Sequence, residues 1–259
     1  MKQLIPLLLF FSTSLFSQET VEAKLIQSTE ISLQSIVGID NFGVIYLIKD
    51  NVFHRVDNDK DITYSNVQLG NITSANAFNS LKINLFYKNF NTAIILDNRL
   101  AEIYKIDFNT VQPYKNVSHI STGYDNTLWI FNTDLQQLEL FDYKTNKVRA
   151  VTMPVESNVL DIQSNFNFCW LLTDKFLYKY NYFGSVISKI PNDSFTLMAE
   201  DNGNLVVRQN DKLMYLPKNS EKFLPIPLNG LLINQFLVTN ETLYIYDSKK
   251  LHQYQLKIK

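Results

Sequence analysis

Few residues in the chain have the chemistry for metal binding or covalent catalysis. His54, His119 and His252 are its only histidines and Cys169 its only cysteine. The histidines are far apart and show no ligand spacing such as two on one helical turn, so no metal centre is indicated. Cys169 sits between Phe168 and Trp170 in an apolar run with no cation nearby to lower its pKa. This describes a buried structural thiol rather than a nucleophile. Asp57-Asn58-Asp59-Lys60-Asp61 alternates carboxylates as a calcium loop does, yet Ile62 and Gln68 stand where the turn glycine and the bidentate glutamate belong. A solvated hairpin turn is the better reading. With no G-x-S-x-G elbow, no H-E-x-x-H and no glycine-rich phosphate loop, the sequence names no catalytic residue and implies no cofactor.

Any site must therefore be assembled by the fold, and the fold is announced by repetition. About every 40 residues an Asn/Asp-rich turn is followed by an apolar, β-branched and aromatic run. The turns include Asp40-Asn41-Phe42-Gly43, Asn79-Ser80-Leu81, Tyr124-Asp125-Asn126, Asn165-Phe166-Asn167, Asp201-Asn202-Gly203 and Thr239-Asn240-Glu241. The runs after them span residues 44–48, 83–87, 128–131, 168–172, 205–207 and 243–246. A second turn and a third strand follow each run, the third strands lying at 52–56, 92–96, 138–141, 176–180, 213–216 and 251–255. Five repeats show a fourth strand, at 62–64, 102–106, 147–151, 185–187 and 222–224, and the sixth lacks one.

Four-stranded units of this length are the blades of a β-propeller, so the expected fold is all-β with six blades. Residues 23–27 are strand-like and have no partner within their own repeat. They are expected to pair beside 251–255 and complete the last blade. Two features leave other arrangements open. Residues 81–96 can be divided in more than one register, which allows five or seven blades. Pro225, Pro227 and Gly230 fall in a longer connection before the last blade, where proline cannot donate to a central ladder.

A propeller has a central channel, and this singles out three polar residues. His119 lies on the predicted innermost strand of its blade, residues 117–121. Asp161 and Gln163 lie on the comparable strand of the next blade. His119, Asp161 and Gln163 are the candidate ligand-binding residues, with ordinary polar lining of a wet channel as the competing reading. Tyr178, Tyr180 and Tyr182 alternate onto one face of a strand. Packing between blades accounts for them better than an exposed protein- or sugar-binding face.

The N-terminus indicates where the protein works. Met1-Lys2-Gln3 and the apolar run 4–16 read as a secretory signal peptide over residues 1–17, leaving 18–259 as one propeller domain. The run is too short to span a bilayer, and no cysteine at the junction could carry a lipid. The lone cysteine also excludes an intramolecular disulfide, so stability must come from burial. Apolar residues make up 46% of the chain against 19% charged, enough for a packed core. With 24 basic and 25 acidic residues scattered singly, no basic stripe recommends nucleic acid.

Asp125-Asn126-Thr127-Leu128-Trp129-Ile130, followed by Leu140-Phe141-Asp142-Tyr143, resembles one blade of bacterial sensor-type and NHL-like β-propellers. The stretch from Leu85 to Thr92, with Leu96-Asp97-Asn98-Arg99-Leu100, resembles an uncharacterised family of exported propellers from Bacteroidetes. The resemblance implies the fold and an envelope setting, periplasmic or extracellular, but no activity. The expected role is a non-catalytic scaffold that binds an envelope protein partner. The alternative is a propeller that binds or acts on carbohydrate at the channel mouth.

Overall fold

The computed structural model describes residues 19–228 and 230–259. The expected leader, residues 1–17, lies outside the described residues. The first strand, β1 (Val21–Glu30), precedes five complete meanders. Blade 1 contains β2 (Ser35–Ile39), β3 (Ile45–Lys49), β4 (Val52–Asp57) and β5 (Lys60–Tyr64). Blade 2 contains β6 (Ser74–Asn76), β7 (Ile83–Tyr87), β8 (Thr92–Leu96) and β9 (Glu102–Asp107). Blade 3 contains β10 (Val117–Thr122), β11 (Thr127–Asn132), β12 (Gln137–Asp142) and β13 (Lys147–Val151). Blade 4 contains β14 (Val159–Ser164), β15 (Phe168–Thr173), β16 (Phe176–Asn181) and β17 (Val186–Pro191). Blade 5 contains β18 (Phe195–Asp201), β19 (Asn204–Gln209), β20 (Lys212–Leu216) and the short β21 (Leu224–Pro225). Blade 6 takes β22 (Gln235–Thr239), β23 (Thr242–Tyr246) and β24 (Lys250–Ile258) from the end of the chain and β1 from its beginning.

Every sheet is antiparallel and four-stranded, and the six form the blades of a β-propeller. The ring closes where the sequence expects it to. Ala23 faces Leu256, Lys24 faces Gln255 and Leu25 faces Tyr254, in a pairing that runs from Val21–Ile258 to Glu30–Lys250. It is longer than the expected segment because Ile26 bulges out and the strand resumes at Gln27. Ser28, His252 and Asp247 add a polar clasp across this junction, with Ser28 Oγ 2.8 Å from His252 Nδ1 and His252 Nε2 2.8 Å from Asp247.

Position in the blade explains the composition of each strand. The second strand of a blade is covered on both faces by the neighbouring blades, so β7 and β11 are buried along their whole length and read as continuous apolar runs. Outermost strands face water, and β13 is exposed at four of its five positions. Pro225 is tolerated in β21 because that strand is an edge. The expected fourth strands of blades 4 and 5 shift slightly, to 186–191 and 224–225. The second repeat was hard to divide because its first strand is only Ser-Ala-Asn, which carries no apolar signal.

The core is divided among the interfaces between blades. Tyr46, Phe53, Leu85 and Ile94 fill that of blades 1 and 2, while Trp129, Leu140, Leu171 and Tyr180 fill that of blades 3 and 4. Tyr178 and Tyr182 belong to this second cluster, so the tyrosine face is packing between blades. The interface between blades 6 and 1 has the smallest core: Ile36, Tyr246 and Leu251. Polar bonds supplement it, for Gln235 accepts from the Ile36 N–H at 2.8 Å and donates to the Gln34 carbonyl at 2.8 Å.

Turn chemistry follows from the backbone. Among the described residues, ten of the fifteen non-glycine residues with positive φ are Asn or Asp, the side chains that best tolerate the left-handed region. Asn58 is one of them, and Asp57-Asn58-Asp59 is the hairpin turn between β4 and β5. At Gly184, with φ 81°, a Cβ would lie 2.0 Å from the Val151 carbonyl oxygen of the neighbouring blade. Only glycine permits that approach.

Blade 3 also encloses an ion pair. Lys115 Nζ lies 2.5 Å from Glu139, both side chains almost fully buried, and Asn132 donates to the other carboxylate oxygen at 3.0 Å. Removing one partner leaves a buried charge, whereas replacing both with apolar groups removes the penalty. Lys115→Met should cost about 3–5 kcal/mol in denaturant unfolding. The Lys115→Met/Glu139→Leu pair should recover most of that loss. Deleting residues 18–30 opens the ring and should lower the melting temperature by more than about 10 °C, since each kcal/mol lost shifts a chain of this size by about 2–4 °C. An unchanged melt would show that closure contributes nothing.

Candidate functional site

The first strand of each blade runs along the channel, and its side chains must either bond to a neighbouring blade or face the open centre. A cavity of about 790 Å³ lies between the first strands of blades 1, 2, 4, 5 and 6. Asp40, Asp161, Glu200 and Asp201 line it, with Gln163 and Asn240 among its amides, and no lysine, arginine or histidine does.

Asp161 and Gln163 therefore share one cavity. His119 is not part of its lining, although it holds the equivalent place in its blade. A bulge precedes both residues, with Ser118 the extra residue in β10 and Leu160 in β14. Blade 3 is sequestered by its neighbours: Ser164 donates to Ser121 at 2.7 Å, and Thr122 donates to Asn76 at 2.8 Å. Phe78 of blade 2 and Phe166 of blade 4 meet with ring centroids 4.9 Å apart. Half-buried, with Ser118 Oγ 2.9 Å from its Nδ1, His119 is held neutral. Burial, helped by Lys88, pushes its pKa down to about 4.

The cavity carboxylates are already engaged. Asp161 accepts from its neighbour Ile162 N–H at 2.7 Å and from Met198 N–H of blade 5 at 2.8 Å. Glu200 accepts from Asn165 of blade 4 at 2.6 Å and from Gly203 N–H at 2.7 Å. Asp201 accepts from Glu241 N–H of blade 6 at 3.3 Å, and Asp40 accepts from Phe42 and Val44 N–H within its own turn. Blades 4, 5 and 6 are thus joined by the residues a catalytic reading would use. Burial still weighs on the charged forms: it raises Asp161 to about 7 and shifts Glu200 upward, the hydrogen bonds opposing it.

The exposed apolar residues on the turns carry no motif of their own in the sequence. The turns joining first to second strands and third to fourth strands share one rim, as the bond from Tyr182 Oη to the Asn165 carbonyl at 2.6 Å shows. Phe42 stands 92% exposed and Phe183 86% exposed on that rim, together with Leu81, Phe166 and Phe78. At four of these positions an Asx side chain two residues earlier accepts the backbone N–H: Asp40 for Phe42, Asn76 for Phe78, Asn79 for Leu81 and Asn181 for Phe183. The available signal was an apolar residue set inside an Asn/Asp turn. The other histidines and the thiol are structural, for His54 bonds to Asp61 at 3.0 Å and burial raises the pKa of Cys169.

No sequence-family model matches the chain, and the search of curated proteins returns no match. Among solved structures it is similar to a catalytically inactive virginiamycin B lyase from Staphylococcus aureus with quinupristin, at TM-score 0.60 and 12% identity, covering 92% of this chain and 99% of that one. A mitotic checkpoint complex chain is similar at TM-score 0.59 and 10% identity, covering 90% and 91%. PorZ, a surface component of the type-IX secretion system of Porphyromonas gingivalis, is similar at TM-score 0.52 and 10% identity, covering 87% of this chain and 37% of PorZ. These likenesses show the propeller fold alone.

The state of Asp161 gives a direct test of the channel electrostatics. Its folded pKa lies above that of the unfolded chain, so the native state holds this proton more tightly. Its contribution to stability is present at low pH and is lost as pH rises from about 4 to about 7. Carboxyl-carbon NMR of Asp161 should titrate with a midpoint near 7. A midpoint near 4 would place the group in bulk-like water.

Proposed function

We propose that the chain is an exported, non-catalytic β-propeller that binds a protein partner in the bacterial cell envelope. The observation that carries the reading is the exposed aromatic rim on a closed ring whose channel carboxylates are occupied by bonds within turns and between blades. Catalysis by paired carboxylates needs acid and base groups free to exchange protons with a substrate. Here each carboxylate also serves as a structural acceptor, holding its own turn or a neighbouring blade. A binding surface needs only rigid display of apolar groups, and the turns supply it.

Export rests on residues 1–17, read as a cleaved leader. No helix among the described residues is long and apolar enough to cross a membrane. The likeness to PorZ, a bacterial surface component, is compatible with an envelope setting. One observation favours the carbohydrate reading instead. The cavity is large enough for a short oligosaccharide and is lined by amides and carboxylates beside Phe42, groups that suit hydroxyls and sugar faces. Under that reading Asp161 and Gln163 hold the ligand, and His119 acts from outside the lining.

In-cell cross-linking followed by purification from envelope fractions should recover the mature chain, beginning near Gln18, joined to one protein partner in fixed proportion. Recovery of the chain always alone, together with a positive glycan array, would select the carbohydrate reading. Recovery from the cytoplasm with Met1 retained would overturn export.

A further inference from the structure

The two rims of the ring differ in what surrounds their apolar groups. On the rim that exposes Phe42 and Phe78, both rings line a cavity whose lining holds four carboxylates and no basic side chain. The opposite rim also exposes apolar residues, among them Val67, Met153 and Leu232, but none of these lines the cavity. The first rim thus sets two aromatic rings beside Asp40, Glu200 and Asp201, with Lys179 near enough to Glu200 to favour its charged form.

Resting on the protein-binding reading above, we infer that this rim docks a protruding loop of the partner whose lysine or arginine enters the channel mouth while its flanking apolar side chains lie on Phe42 and the Phe78–Phe166 pair. Charge complementarity selects the occupant. Low-dielectric walls focus the field of Asp40, Glu200 and Asp201 into the mouth, favouring a cation over an acidic or neutral group. Their oxygens retain lone pairs beyond the bonds they accept within the ring, so a cation can be met without breaking those bonds. The collar is aromatic, which suits an incoming guanidinium or ammonium. A neutral sugar would satisfy the amides but leave the charge unmatched.

The rim is also built to present these groups. Asp40 and Asn181 each hold their own turn through an Asx bond, so Phe42 and Phe183, two positions later, can stand almost wholly exposed. Phe42 is almost wholly exposed. Truncating it should leave the fold intact.

The test is selection of a phage-displayed library of disulfide-closed random loops against the mature chain, followed by calorimetry of the enriched peptides. Enriched loops should carry Lys or Arg beside an aromatic or aliphatic residue. Their affinity should fall about tenfold on Phe42→Ala, should weaken on raising salt, and should be unchanged by Met153→Ala on the opposite rim. The melting temperature of both variants should match that of the parent. Enrichment of acidic or uncharged loops, indifference to Phe42→Ala, loss on Met153→Ala, or failure to enrich any loop would each overturn the assignment, as would a glycan that occupies the mouth in their place. Cross-linking in cells separates this result from the broader reading. A native partner retained by the Phe42→Ala chain removes the rim assignment and leaves the scaffold, whereas no partner on the parent chain removes both.

Discussion

The pairing of β1 with β24 is the constraint on which the rest of the ring depends. A propeller blade buries its faces only when it has a neighbour on each side, so an open array would leave the end blades wet on one face. Taking the outer strand of blade 6 from the N-terminal end of the described chain converts an array with two ends into a circuit. Thr20 and Lys259 bond to each other's backbone at 3.1 and 2.9 Å, which pins both ends of the described residues at the rim that bears the aromatic turns. Closure also explains why the interface of blades 6 and 1 can manage with a small apolar core. It is held in place by the ring rather than by its own burial, and Gln235 and Asn240 set its register with directional bonds.

The channel shows a second consequence of ring geometry. The first strands converge on the axis, where apolar burial is replaced by a wet cavity, and adhesion between blades there has to be polar. Asp161 to Met198 N–H, Asn165 to Glu200 and Glu241 N–H to Asp201 are such bonds. A hydrogen bond to a charged group contributes about 1.5–3 kcal/mol, comparable to a buried aliphatic side chain, so this polar seam is a substitute for core and not an ornament to it. It follows that carboxylates in a propeller channel are weak evidence of catalysis until their partners are known.

That ambiguity limited what could be read from the residues. The ring, its six units and its closing strand were legible because they depend on turn chemistry and apolar runs that recur at fixed spacing. Cys169, the tyrosine face and the Asp57 turn could be assigned from their immediate neighbours. Asp161 and Gln163 could be placed at the channel by their position in the repeat, and they share its lining. The same logic placed His119 there too, and it could not see that Phe78 and Phe166 meet in front of blade 3 or that Ser164 and Asn76 bond to its first strand. Contacts between blades join residues about 40 or more positions apart, and no local pattern encodes them.

The aromatic rim was missed for a different reason, and the reason bears on where function can reside in this architecture. An Asn or Asp that accepts the N–H two residues later fixes the turn through its own side chain. The turn is then set, and the side chain of the residue that donates the N–H is left free to face solvent. Asp40 does this for Phe42 and Asn181 for Phe183, whereas second strands such as β7 and β11 have no such freedom because they are buried along their whole length. An apolar residue at such a position leaves its side chain in water, as Phe42 and Phe183 do. A ring displayed in this way is free to meet a partner, so in this fold the turns can carry a binding surface that the buried strands cannot.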